Sequence, residues 1–87
     1  MKVLVTGGAG FIGSAVIRYL IKVKGINVVN IDCLTYSGNL LSLEEVSHSD
    51  LYSFRKIDIS DSEKLRFVFN EQRPNAVINL AAESSVD

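Results

Sequence analysis

The stretch VTGGAGFIGSA, residues 5–15, constrains this chain more than any other. Gly7, Gly10 and Gly13 stand three apart, with Gly8 beside the first. The β-branched run KVLVT (2–6) precedes them, and helical spacing follows over 11–23. A strand that enters a glycine-rich turn and leaves as a helix suits an anionic ligand. Gly7 lets the chain turn tightly off the strand. Gly10 removes a Cβ where a pyrophosphate must approach the backbone, and Gly13 lets the helix pack close to the sheet. The free N–H groups at the helix start, with the helix dipole, favour a doubly charged pyrophosphate. The spacing is GxxGxxG rather than GxGxxG, so the triplet gains its meaning from these neighbours.

The rest of the chain alternates strand and helix. Ile12, Ala15, Val16, Tyr19, Leu20 and Val23 share one helical face and form the expected buried stripe. Gly25 follows, where a left-handed cap is wanted. NVVNI (27–31) reads as a second strand. The turn-rich DCLTYSGN (32–39) leads to a short apolar-periodic piece with Leu40, Leu43 and Val46, then to the polar loop SHSD. LYSFRKIDI (51–59) reads as a third strand. Ser60 and Glu63 have capping-box spacing ahead of a helix with Leu65, Val68 and Phe69 on one face. Pro74 ends that helix, and AVINL (76–80) is the fourth strand.

Such a pattern predicts an α/β, Rossmann-like fold: a parallel sheet of about four strands in the order 3-2-1-4 with flanking helices. Right-handed crossovers place the topological switch between strands one and four, where ligands bind. Residues 1–87 form one unit, the first part of a doubly wound domain.

Asp32 ends strand two, about twenty residues beyond Gly13. A carboxylate there accepts hydrogen bonds from the adenosine ribose hydroxyls and repels a 2′-phosphate. No Arg follows at once, which favours NAD over NADP; capping a turn is the plainer role. Asp58 ends strand three, either near an adenine edge or bracing the next helix. Cys33, the one cysteine, forms no intrachain disulfide and fits a reducing compartment. It is either a small half-buried residue or a reactive thiol. Tyr36 packs either on the ligand side or within its loop. His48 lies in a polar loop, and no second His or Cys stands at metal-ligand spacing.

Net charge of −1, with Lys and Arg scattered, offers no nucleic-acid footprint. Apolar VLV is too short for a signal peptide core, and no run approaches a membrane helix. A cytoplasmic location is expected. Tyr52 and Lys56 have Tyr-x-x-x-Lys spacing, but in a strand they stand roughly 13 Å apart, too far for the lysine to activate the tyrosine.

TGGAGFIGS resembles the opening of the extended short-chain dehydrogenase/reductase family. IDCLTYSGNLLSL narrows this: a strand-end Asp, then Leu-Thr-Tyr-x-Gly-Asn, resembles the dTDP-glucose 4,6-dehydratases more closely than the nucleotide-sugar epimerases. DISD (58–61) and NLAAESSVD (79–87) fit the same family. The resemblance covers the whole chain but only the first quarter or so of a typical member.

It implies an NAD site. Phe11 and Ile12 match diphosphate-loop positions beside Gly7, Gly10 and Gly13. Asp32, Cys33, Leu34 and Thr35 match the segment around the adenosine ribose, and Asp58 and Ile59 the adenine contacts. Leu80, Ala81, Ala82, Glu83 and Ser84 match the strip bordering the nicotinamide half, with Ser84 also near the sugar nucleotide. Cys33 and Ser85 depart from the family, which usually has Lys and His there. The implied reaction converts dTDP-glucose to its 4-keto-6-deoxy product plus water, a lyase activity with transient hydride transfer to NAD. Its Tyr-x-x-x-Lys and Asp-Glu pairs belong to a later part of the family's chain, so no catalytic residue is expected within these 87. Two other readings are a non-catalytic dinucleotide-binding fragment and part of a UDP-sugar epimerase or decarboxylase. The edge AVINLAA implies self-association or a homodimer.

Overall fold

The computed structural model describes residues 1–7, 11–33 and 40–80. Four strands form one parallel sheet: β1 (Lys2–Thr6), β2 (Asn27–Asp32), β3 (Tyr52–Lys56) and β4 (Ala76–Asn79). Their spatial order is β3-β2-β1-β4, as the alternating pattern predicts. Two α-helices, α1 (Phe11–Lys22) and α2 (Ser62–Gln72), and a 3-10 helix at Leu40–Val46 connect them.

Registry explains how the apolar runs are shared. Leu4 stands between Val29 of β2 and Val77 of β4, and Asn30 lies beside Phe54 of β3. Successive β1 side chains point to opposite faces. Val3 and Val5, with Val28, pack under Ile17 and Ile21 of α1 and Leu43 and Val46 of the 3-10 helix. Leu4, Val29 and Ile31 pack on the other face against Ile57 and Val68 of α2, with Leu65 partly buried there. Both faces of β1 and β2 are thus covered, as the crossover helices of a parallel sheet require.

The helix faces correct the expectation from spacing. In α1 the buried residues are Gly13, Ser14, Ile17 and Ile21. Ile12, Tyr19 and Val23, placed on the core face by periodicity, are 59%, 50% and 65% exposed, and Ala15 is exposed too. The helix carries two apolar stripes about one residue, or 100°, apart. The sheet takes the one containing Gly13 and Ser14, because small side chains let the helix axis come closest. In α2 Val68 is buried but Phe69 is exposed, since only the Leu65–Val68 edge of the helix meets the sheet.

Helix ends follow local chemistry. Asp61, not Ser60, caps α2: its Oδ1 accepts from the Lys64 N–H at 3.2 Å. Ser60 is held instead by Asp58, so the expected Ser60–Glu63 box does not form. At the far end Arg73 adopts φ 48°, with its N–H donating to the Phe69 carbonyl at 2.9 Å, and Pro74 follows. After α1, Gly25 turns the chain at φ 64°, its N–H donating to the Ile21 carbonyl. Arg18 and Lys22 of α1 both reach Glu45, tying the 3-10 helix to α1.

The two left-handed positions predict opposite effects. A Cβ at Gly25 meets nothing within 4 Å, so Gly25→Ala isolates the backbone cost, about 1 kcal/mol of lost stability. Arg73→Gly removes the same strain and gains about 0.5 kcal/mol after the entropy of a freer unfolded chain is subtracted. Urea unfolding of both variants against the parent checks the two signs together.

Candidate dinucleotide site

The site lies where the carboxyl ends of the strands meet the start of α1. There the sheet order reverses: β1 leads left to β2, while β4 lies on its right. In open α/β sheets a ligand crevice lies at such a point.

Gly7 makes the turn off β1. It adopts φ 79°, in the region that side chains disfavour, and its N–H donates to the Ile31 carbonyl at 2.8 Å. The glycine thereby locks the end of β1 to β2 while freeing the chain to swing into α1. Gly13 is buried on the sheet side of α1, as close helix packing requires. Across the switch, the Thr6 hydroxyl donates to Asn79 Oδ1 at 2.6 Å, and the Leu80 N–H donates to the Thr6 carbonyl at 2.9 Å. These bonds fix the width of the gap between β1 and β4 at its floor.

Asp32 is the last residue of β2 and is only 6% exposed. It directly follows Ile31, whose carbonyl accepts from the Gly7 N–H, and its own carbonyl accepts from the Ile57 N–H at 3.2 Å. Cys33 follows, partly exposed and free of any disulfide. Asp58 is exposed beyond β3. One of its oxygens accepts from both the N–H and the hydroxyl of Ser60, each at 2.9 Å. The Asp58 carboxyl is held below the usual carboxylate range, first by the Ser60 N–H and then by its hydroxyl. Asp58 thus holds the turn ahead of α2 through Ser60, while the helix itself is capped by Asp61. Ile59 lies exposed beside it.

Phe11 and Ile12 open α1, and Leu80 lies at the end of β4. Gly8, Gly10, Leu34, Thr35, Tyr36, Ala81, Ala82, Glu83, Ser84 and Ser85 lie outside the described residues. Among those described, no group of His, Cys, Asp and Glu could hold a metal ion, and no helix is long and apolar enough to cross a membrane. Tyr52 and Lys56 share strand β3, which leaves them apart as expected, and His48 is exposed.

Sequence reasoning passed over one residue here. Asn30 sits inside the apolar run of β2, fully buried, and its Nδ2 donates to the Tyr52 hydroxyl at 3.2 Å. A polar side chain within a strand covered on both faces is the signal that could have found it.

The fold is a Rossmann-like unit, with a glycine turn, a helix start and a strand-end acid around one switch point. More specifically, the chain belongs to the GDP-mannose 4,6 dehydratase family, whose model matches residues 4–87. It is 56% identical over 87 residues to a dTDP-glucose 4,6-dehydratase of Salmonella typhimurium, and 57% identical over 86 residues to one of Neisseria meningitidis. It spans 24% of the length of each. The dTDP-glucose 4,6-dehydratase of Bacillus anthracis, crystallised in complex with NAD, superposes with a TM-score of 0.89 at 41% identity, over 97% of this chain and 27% of that one. The UDP-glucose 4-epimerase of Thermus thermophilus, also in complex with NAD, gives 0.77 at 36% identity over 93% of this chain and 24% of that one.

The Asp58 turn yields a titration test. Ser60→Ala removes the hydroxyl donor but leaves the backbone N–H. The Asp58 carboxyl midpoint, followed by NMR, should rise only part of the way towards the ordinary carboxylate value. Because the folded value is lowered, the stability these bonds give is whole above the ordinary value. It is lost as pH falls through the folded one.

Proposed function

We propose that this chain is the NAD-binding portion of a dTDP-glucose 4,6-dehydratase. The observation that carries the reading is the conjunction at one switch point of Gly7 at φ 79° and a buried Asp32 at the end of the neighbouring strand. A dinucleotide needs both: a place where backbone replaces side chains beside the pyrophosphate, and an acceptor for the ribose hydroxyls. Likeness to dehydratases across the full 87 residues supports the choice among nucleotide-sugar enzymes. Structures of related dehydratases with NAD bound support the cofactor.

In this reading Gly7, Gly10 and Gly13 with Phe11 and Ile12 hold the diphosphate against the start of α1. Asp32, Cys33, Leu34 and Thr35 surround the adenosine ribose. Asp58 and Ile59 border the adenine; Asp58 keeps one oxygen outside its Ser60 bonds for that purpose. Leu80, Ala81, Ala82, Glu83 and Ser84 line the nicotinamide half, and Ser84 also meets the sugar nucleotide, dTDP-glucose. NAD, when bound, supplies reversible hydride acceptance. The chain's own contribution is binding and orientation: the Thr6–Asn79 bond keeps the crevice at fixed width, and the amides of the helix start offset phosphate charge. The proton-transfer groups of the reaction belong to the portion of the family's length that lies outside this chain. A cytoplasmic location accords with the single cysteine.

Calorimetric titration tests the reading. The parent chain should bind NAD, and Asp32→Ala should weaken binding roughly ten- to a hundredfold, the worth of hydrogen bonds to a charged acceptor. Equal binding by the two forms would remove Asp32 from the ribose.

The proposed partner is a second copy of the chain. Among the described residues β4 pairs with β1 alone, Val77 is 47% exposed, and Ala76 and Asn79 are exposed with it. An edge with open backbone groups and apolar side chains recruits another strand. Size exclusion over a hundredfold range of concentration should show a dimer or larger species growing with concentration. A strictly monomeric profile throughout would count against this pairing.

A further inference from the structure

A cleft of about 410 Å³ lies between α2 and the outer strand β3. Ile57 and Val68, both buried, form its apolar wall, and Phe67 lines it with 65% of its surface exposed. A phenylalanine so placed gives the fold little, because most of its apolar surface stays in water. Around it stand two cations, Arg55 and Lys64, and two anions, Glu63 and Glu71. These charges cancel, so the cleft favours no ligand of one sign. Arg55 meets Glu71 only at 3.5 Å, and Lys64 meets Asp61 at 3.7 Å. Such long surface ion pairs hold their members weakly and leave them able to engage a further charge.

The order of these residues along α2 is self-complementary. Lys64 and Glu71 are seven residues, about two turns, apart and share one face with Phe67 between them. Their midpoint falls at Phe67–Val68. A second α2 laid antiparallel across a two-fold axis at that point sets Lys64 opposite Glu71 twice, with the two Phe67 rings at the centre. Glu63 then faces Gln72 rather than a like charge. We propose that this face of α2 pairs with the same face of a second copy of the chain, each Phe67 entering the other's cleft beside Ile57 and Val68 between two Lys64–Glu71 ion pairs. An aromatic anchor in an apolar socket, with charges at the rim, is the make-up of a protein–protein contact. The patch is small, so the association is weak and grows with concentration. It lies at the sheet edge opposite β4 and is independent of both the β4 pairing and the cofactor reading.

The test is carbodiimide crosslinking, which joins an ammonium to a carboxylate it touches, on an equimolar mixture of isotope-labelled and unlabelled full chains. A Lys64–Glu71 link carrying one label of each kind arises only between copies. Its yield should rise with concentration and fall about tenfold in Phe67→Ala, the loss of the central anchor. That variant keeps its helix, because alanine is the best helix former and the ring is mostly exposed. Charge exchange supplies a second arm. Lys64→Glu lies in the first turn of α2 and Glu71→Lys in the last, so both changes suit the helix dipole and the variants fold. Labelled Lys64→Glu chain mixed with unlabelled Glu71→Lys chain should form links between positions 64 and 71 within about twofold of the parent's yield, since the charges again oppose. Links joining 64 to 64, or 71 to 71, become chemically possible in that mixture, and the antiparallel geometry keeps them apart. No mixed-label link in the parent, a link indifferent to Phe67→Ala, or 64-to-64 links as abundant as 64-to-71 links overturns the pairing.

Discussion

The central strand β1 is bonded on both sides, to β2 and to β4, and the whole arrangement depends on that double ladder. Its apolar side chains serve two cores at once, Val3 and Val5 facing α1 and Leu4 facing α2. The same strand delivers Gly7 to the rim, where the N–H bond to Ile31 closes the last rung with β2. Thr6 closes the matching end with β4 through its hydroxyl and carbonyl. The floor of the crevice is therefore not a loop resting on a scaffold. It is the terminus of the most deeply held strand in the molecule, and its geometry inherits that strand's rigidity.

Much of this was legible from residue order. The apolar blocks at 2–6, 27–31 and 76–80 each met a glycine, proline or polar punctuation mark, and the crossover rule then left one strand order. What periodicity missed has physical causes. α1 is apolar on more than one side, so spacing alone could not say which stripe meets the sheet. The answer lies in the size of Gly13 and Ser14, not in hydrophobicity. Ser60 and Asp61 are adjacent and equally suited to capping, and the choice fell to Asp61 because Ser60 is already bonded to Asp58. The third strand read as 51–59 but ends at Lys56, since the Asp58 turn bends the chain away.

The site was legible in outline. Gly7 and Asp32 lie at one rim of the sheet, and Gly13 is buried within α1. Asn30 was not, because a one-dimensional reading counts NVVNI as a strand and stops. Only the paired neighbours on both faces reveal that its amide has no apolar reason to be there. The contrast between Asp32 and Asp58 is similar. Each follows an isoleucine, Asp32 as the last residue of β2 and Asp58 two residues past the end of β3. One is buried at its strand end, while the other is exposed and largely committed to its own turn.

β4 gives the sheet an asymmetric kinetics of opening. Its amides on the β1 side are shielded, while its other border has no strand among the described residues, and its side chains are mostly in water. Local opening should therefore begin at that border and stop at β1, where separation would break two ladders and two cores together. The glycine rim then belongs to the slowest-exchanging layer of the molecule, and the opposite wall of the crevice to the fastest. One bank stays fixed while the outer border of the other breathes, so motion at the edge leaves the turn at Gly7 and the Thr6–Asn79 bond undisturbed.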